Sequence, residues 1–226
     1  MKNTRTGINP ISLMLIGVLS VGIIGLIAFI LLSSATPAAS DTVSQSDLET
    51  GIERKNPARE MPDFTLTDHT GEVVSLSDFA GKPTLISFGF TNCPDICPLT
   101  LNDMRRIETV LTENGVGDAL NYVFISVDGE RDTPEVLNDY LDIRRVQGIV
   151  TGLTGSEADV RRMGVDYGLK FNYGAVDENG NYDVDHTAGL FLLDDAGNWI
   201  TKYPYTTVQI NRDAVIEDLQ RTIEDT

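Results

Sequence analysis

Residues 84–101 read TLISFGFTNCPDICPLTL, and this stretch limits the fold more than any other. Leu85, Ile86, Phe88 and Phe90 form a short apolar run, as expected of a buried strand. The run enters a loop holding the chain's two cysteines, Cys93 and Cys97, spaced C-x-x-x-C. Pro98 follows, then apolar residues at helical spacing: Leu101, Met104, Ile107 and Leu111. A strand that delivers two thiols to the start of a helix suits soft metals or thiol redox chemistry. A disulfide closing so short a loop would add little stability, so the pair points to chemistry more than to stapling.

The rest of the domain repeats the alternation. Residues 61–81 predict a hairpin turning at Asp68-His69-Thr70-Gly71, with His69 as an exposed turn residue. Residues 122–127 (YVFISV) and 188–193 (AGLFLL) read as further buried strands, and 199–203 as an edge strand. Thr133-Pro134 and Ser156 with Asp159 mark helix starts. Residues 168–185 read as a long loop or irregular hairpin, and 211–226 as a closing helix. Met104 is expected to pack in the core. Strands alternating with helices predict an α/β sandwich, a mixed sheet covered on both faces.

Residues 11–32 are apolar and uncharged. At 1.5 Å rise per residue such a helix spans roughly 33 Å, about the hydrocarbon core of a bilayer. The length favours a retained transmembrane anchor over a cleaved signal, although the small residues at 35–40 resemble a cleavage site. No cysteine lies nearby to carry a lipid. Lys2 and Arg5 precede the segment, while Asp41, Asp47 and Glu49 are the first charges after it. The positive-inside rule then places residues 1–10 in the cytoplasm and the large domain outside, making a single-pass protein of the inner or plasma membrane. Residues 33–60, rich in Ser, Thr, Ala and acids, read as a flexible linker to a domain over 61–226.

Beyond the apolar segment lie 34 acidic and 15 basic residues, a net charge of −19. That excludes nucleic acid and anionic headgroups as natural partners of the domain. It suits a solvated acidic surface or a basic partner.

Cys93 and Cys97 stand four residues apart, so both sulfurs face one side if the loop is near-helical. A helix N-terminus favours thiolate, whereas Asp95 between the two opposes it. Two thiolates alone hold a linear Cu(I) or form a disulfide. His186 is the histidine placed to add a third ligand, with Asp185 beside it to orient the ring or tune local charge. The same His186 also reads as a surface residue at a strand start. Structural zinc asks for four protein ligands and iron–sulfur clusters for more thiolates. A Cys2His set suits Cu(I), and accepts Cu(II) with a weak extra ligand.

Gly81-Lys82-Pro83, the run from Phe88 to Pro98, Ser126-Val127-Asp128-Gly129-Glu130-Arg131-Asp132-Thr133-Pro134, and Asp185-His186-Thr187 together resemble the SCO/SenC family. Those are membrane-anchored, thioredoxin-fold proteins that bind copper and assist assembly of the CuA centre of cytochrome c oxidase. The resemblance runs from about Met61 to the C-terminus. It implies a thioredoxin-like fold, with copper held by Cys93, Cys97 and His186. Gly129 departs from the family, which usually has Pro there, and this is expected to loosen the loop.

The resemblance implies a metallochaperone that passes copper to the CuA-bearing oxidase subunit, served by a copper donor and a thiol reductant. A Cys93–Cys97 disulfide would expel the metal until the reductant restored the dithiol. The alternative is a thiol–disulfide oxidoreductase that keeps the CuA cysteines reduced. A minor third reading is a peroxidase-like activity.

Overall fold

The computed structural model describes residues 45–224. The apolar segment 11–32 and its tail lie outside those residues. No helix among the described residues is long and apolar enough to cross a membrane.

The domain is a mixed eight-stranded sheet in the order β1-β10-β9-β4-β5-β6-β2-β3. Its strands are β1 (Glu53–Arg59), β2 (Thr65–Asp68), β3 (Val73–Ser75), β4 (Thr84–Gly89), β5 (Asn121–Ser126), β6 (Val150–Thr154), β9 (Gly189–Leu193) and β10 (Trp199–Pro204). A separate antiparallel ribbon pairs β7 (Phe171–Tyr173) with β8 (Val184–His186). The helices are α1 (Gln45–Thr50), α2 (Ile96–Glu113), α3 (Pro134–Ile143), α4 (Glu157–Tyr167), α5 (Tyr205–Ile210) and α6 (Arg212–Glu224).

β4 is buried along its whole length, between β5 in parallel and β9 antiparallel. A strand with neighbours on both edges and layers on both faces buries every position, so its sequence does not alternate apolar with exposed polar residues, and its two hydroxyl residues, Thr84 and Ser87, are buried too. α2 connects β4 to β5 and α3 connects β5 to β6, as parallel pairs require. Along α2, Leu101, Met104, Ile107 and Leu111 are fully buried, so Met104 is core. Thr133 caps α3 and Ser156 caps α4 with their side chains, and α2 ends at Asn114 ahead of Gly115 at φ +82°.

Four readings of the sequence need correction. The linker expected over 33–60 holds α1 and β1 within its second half. β1 pairs with β10, so β10 is internal to the sheet and not an edge. Its burial alternates, with Trp199, Thr201 and Tyr203 inward. Asp218 explains what fastens the added strand. It lies beneath β10, accepts from the Tyr203 hydroxyl at 2.8 Å, and pairs with Arg54 of β1, which also reaches Asp47 at 3.0 Å. His69 is half-buried rather than exposed, because its backbone and Nδ1 exchange hydrogen bonds with Gly152 of β6 at 2.8 and 3.3 Å. Finally, His186 does not stand at a strand start. It ends β8, on the separate ribbon.

Candidate functional site

β4 ends at Gly89, Phe90 closes the strand, and the loop then turns into α2. A Cβ at Gly89 would stand 2.7 Å from Cys97 Sγ and 2.6 Å from the Phe124 ring. Only glycine lets the strand pass this close beneath the sulfur. Cys97 lies in the first turn of α2 and is 1% exposed, whereas Cys93 is half-buried at the mouth of the loop. Both are free thiols.

The start of α2 has an unusual cap. Asp95 occupies the N-cap position at φ −134° without a side-chain hydrogen bond to the helix. The backbone N–H of Cys97 points instead at Cys93 Sγ, 3.5 Å away. A sulfur takes the place of the usual oxygen acceptor, so the helix terminus favours its anion.

Cys93 is accordingly lowered to about 3, first by the thiol of Cys97, then by His186 and by the backbone N–H groups of Cys97 and Asp95. Cys97 moves the other way, raised by its bond to Cys93, by burial and by the neighbouring thiolate charge. The pair therefore shares one proton, with the charge on the outer sulfur.

His186 Nε2 lies 3.7 Å from Cys97 Sγ. Nδ1 lies 3.0 Å from the Thr187 carbonyl. A carbonyl only accepts, so Nδ1 carries a hydrogen and Nε2 is the atom turned on the sulfurs. In the neutral ring that atom presents a lone pair. The ring stands edge-on to Phe90 at 5.9 Å. Asp185, expected to orient the ring, is exposed, and the orienting acceptor is the Thr187 carbonyl. Among the described residues no group of three or more His, Cys, Asp and Glu side chains stands ready-made to hold a metal ion. The dithiol and the imidazole are adjacent, with a thiol proton still in place.

Several residues that position the site carry no obvious mark in the sequence. Asp132, fully buried, accepts from the Thr91 N–H at 2.9 Å, the Thr91 hydroxyl at 2.6 Å and the Ser126 hydroxyl at 2.6 Å. It thus ties the cysteine loop to the end of β5. Burial raises its carboxyl, although these donors pull it back. Asp128, also fully buried, accepts from Arg131 at 2.5 Å and from the Tyr182 hydroxyl at 2.7 Å. An acid just past a buried strand was the available signal for Asp128; Asp132, six residues beyond β5, had none as local. Gly129 does not loosen this loop: a Cβ there would come within 1.9 Å of the Gly155 carbonyl oxygen. It is a point of close packing.

A thioredoxin-like α/β domain with a dithiol at a helix N-terminus and an imidazole turned on it defines a class of thiol-based metal and redox proteins. The chain matches the SCO1/SenC family over residues 52–224, and it belongs to that family. It is 39% identical to an SCO2-like protein of Rickettsia felis over 62% of this chain and 67% of that protein. It is 36% identical to the human mitochondrial SCO1 homolog over 61% of this chain, spanning under half (45%) of that longer protein. Bradyrhizobium japonicum ScoI, solved with copper bound, superposes with a TM-score of 0.60 at 32% identity, covering 72% of this chain and 98% of ScoI. BsSco, a member of the Sco family of cytochrome c oxidase assembly proteins solved for its disulfide switch, shares the fold. Its TM-score is 0.59 at 24% identity, over 74% of this chain and 95% of BsSco.

Proposed function

We propose that this chain is a membrane-anchored copper chaperone for the CuA site of cytochrome c oxidase. The observation that carries the reading is His186 Nε2 turned on the buried sulfur of a dithiol whose outer sulfur is already thiolate. Soft thiolates with one imidazole select Cu(I), and Cu(II) is taken with a further weak ligand. Binding displaces the remaining thiol proton and closes Cys93, Cys97 and His186 on the ion. Three ligands leave the ion open to an incoming thiolate. Copper then passes by ligand exchange to the Cys and His groups of the CuA-bearing subunit without release into water. Residues 11–32 anchor the chain, with 1–10 in the cytoplasm and the domain on the outer, periplasmic face of the inner or plasma membrane. A copper donor and a thiol reductant complete the cycle.

The test is anaerobic Cu(I) competition against a chromogenic chelator, using the reduced full chain and its His186→Ala variant. One equivalent held tightly by the wild type and weakened in the variant supports the reading. Equal, weak binding in both overturns it.

A second reading is favoured by the half-exposed Cys93 thiolate above a buried partner thiol. Cys93 attacks an acceptor disulfide and forms a mixed disulfide. Cys97 then displaces the acceptor, which leaves as a dithiol with two electrons while Cys93–Cys97 becomes the disulfide. An external dithiol resets it. Turnover on a disulfide substrate that survives His186→Ala would favour this reading.

A further inference from the structure

His186 lies outside the main sheet, on the β7–β8 ribbon, while both cysteines lie on the β4–α2 loop. Something must fix one against the other. The loop between β5 and α3 does so from both sides. Asp132 in that loop holds Thr91 of the cysteine loop. Asp128 and Arg131, in the same loop, hold Tyr182, in the connection that leads into β8 of the ribbon.

The grip on Tyr182 is dense. Its hydroxyl donates to Asp128 Oδ1 at 2.7 Å, its carbonyl accepts from Arg131 Nη1 at 3.0 Å, and the guanidinium lies 3.6 Å over its ring. Arg131 is itself fixed to Asp128 Oδ2 at 2.5 Å. The same guanidinium lies 5.9 Å from the Phe90 ring, which meets the His186 ring edge-on. On β7, Tyr173 packs edge-on against Tyr182 at 5.4 Å and donates to the Val127 carbonyl at 2.7 Å. The guanidinium thus bridges a buried carboxylate through Nε and the Tyr182 carbonyl through Nη1 while stacking on the ring, a planar fork that is pre-organised for such a bridge.

We propose that Tyr182 is a positioning residue for the metal site: clamped by Asp128 and Arg131, it sets where His186 stands relative to Cys93 and Cys97. The inference rests on the copper-binding reading for its role, but the clamp itself can be tested without metal. Tyr182 reaches copper only through His186, so its influence must vanish when His186 is absent.

The experiment compares the full chain with Tyr182→Leu and with Tyr182→Phe, which keeps the ring on Arg131 and loses the bond to Asp128. The chain has two histidines, so nitrogen-15 imidazole spectra of the metal-free protein contain His69 as an internal reference. Tyr182→Leu is expected to abolish the ordered Nδ1–H signal of His186 and leave that of His69 unchanged, with Tyr182→Phe intermediate. Cu(I) affinity should fall by roughly 10–100-fold in Tyr182→Leu, as for other outer partners of a metal ligand. In the His186→Ala background the same substitution should cost nothing further, the mark of coupled residues. An unchanged His186 signal would overturn the proposal, and so would an equal affinity loss in both backgrounds. If the wild type fails to hold copper, the chaperone reading falls while the imidazole spectra still decide the clamp.

Discussion

The backbone N–H of Cys97 points at the sulfur of Cys93, 3.5 Å away, where most helices offer it a side-chain oxygen. The Cys97 thiol is the larger influence on Cys93, and this N–H adds to it, so the two thiols of one short loop are chemically unequal. Alkylation of the reduced chain should modify Cys93 first. Its rate should stay flat from about pH 5 to pH 8, where an ordinary thiol near pKa ~8.5 reacts faster with each unit. The plateau follows from a thiol lowered to about 3. Mass spectrometry of peptides from partly alkylated protein reads it directly. A rate that climbs through pH 8 would contradict the assignment of charge to Cys93.

Gly129 gives a prediction of opposite sign to the usual rule. Proline introduced into a compatible loop position stabilises by about 0.4–1 kcal/mol. Here the added carbons meet the Gly155 carbonyl, whose oxygen stands 1.9 Å from a Cβ at this position. Gly129→Pro should therefore destabilise by about 1–3 kcal/mol, by analogy with overpacked sites. Urea denaturation of the two chains measures it.

Asp132 is expected to be essential to the cysteine loop. Asp132→Ala strands the Thr91 N–H and the Ser126 hydroxyl and should cost about 2–4 kcal/mol. The pH dependence has a definite sign. Burial, the leading cause, raises this carboxyl above its unfolded value. The folded state then holds the proton at higher pH than the unfolded chain, so the contribution of Asp132 to stability grows as pH falls through its titration and is lost as pH rises. Subtracting the stability–pH curve of Asp132→Asn from that of the wild type isolates the effect.

A domain started at residue 61, where the sequence suggested its boundary, lacks β1. It leaves one side of β10 bare and deprives buried Asp218 of Arg54. Such a chain should be less stable than one started at residue 45 by at least about 2 kcal/mol, and more prone to self-association through the exposed edge. Denaturation midpoints and light scattering of the two chains decide it.

What could be read from the sequence was what short-range pattern encodes. The buried strands around Phe88, Phe124 and Phe191, the caps at Thr133 and Ser156, and the helical spacing of Leu101 to Leu111 all appear where expected. The candidate trio of Cys93, Cys97 and His186 is brought together. The missing parts depended on partners distant in the chain. β1 has the polar sequence ERKNPAR, with six of seven positions exposed, so no apolar alternation announced it. Only pairing with β10, some 140 residues on, makes it a strand. Asp185 looked like the natural partner of its neighbour His186, yet adjacent residues on a strand face opposite ways. The Thr187 carbonyl took the role instead. Tyr182 and Asp128 lie 54 residues apart, and nothing local links them.

The ribbon that bears His186 is hydrogen-bonded to itself and forms no part of the eight-stranded sheet. Opening the jaw formed by imidazole and dithiol therefore breaks no rung of the main ladder. It does require release of the bonds that Tyr182 and Tyr173 make to Asp128, Arg131 and Val127. In the proposed carrier role the chain must grip its cargo and still let go many times. Mounting one jaw on a ribbon outside the main ladder and the other on the core would serve both demands, and would let the strength of the grip drift in evolution with the eight-stranded sheet unchanged.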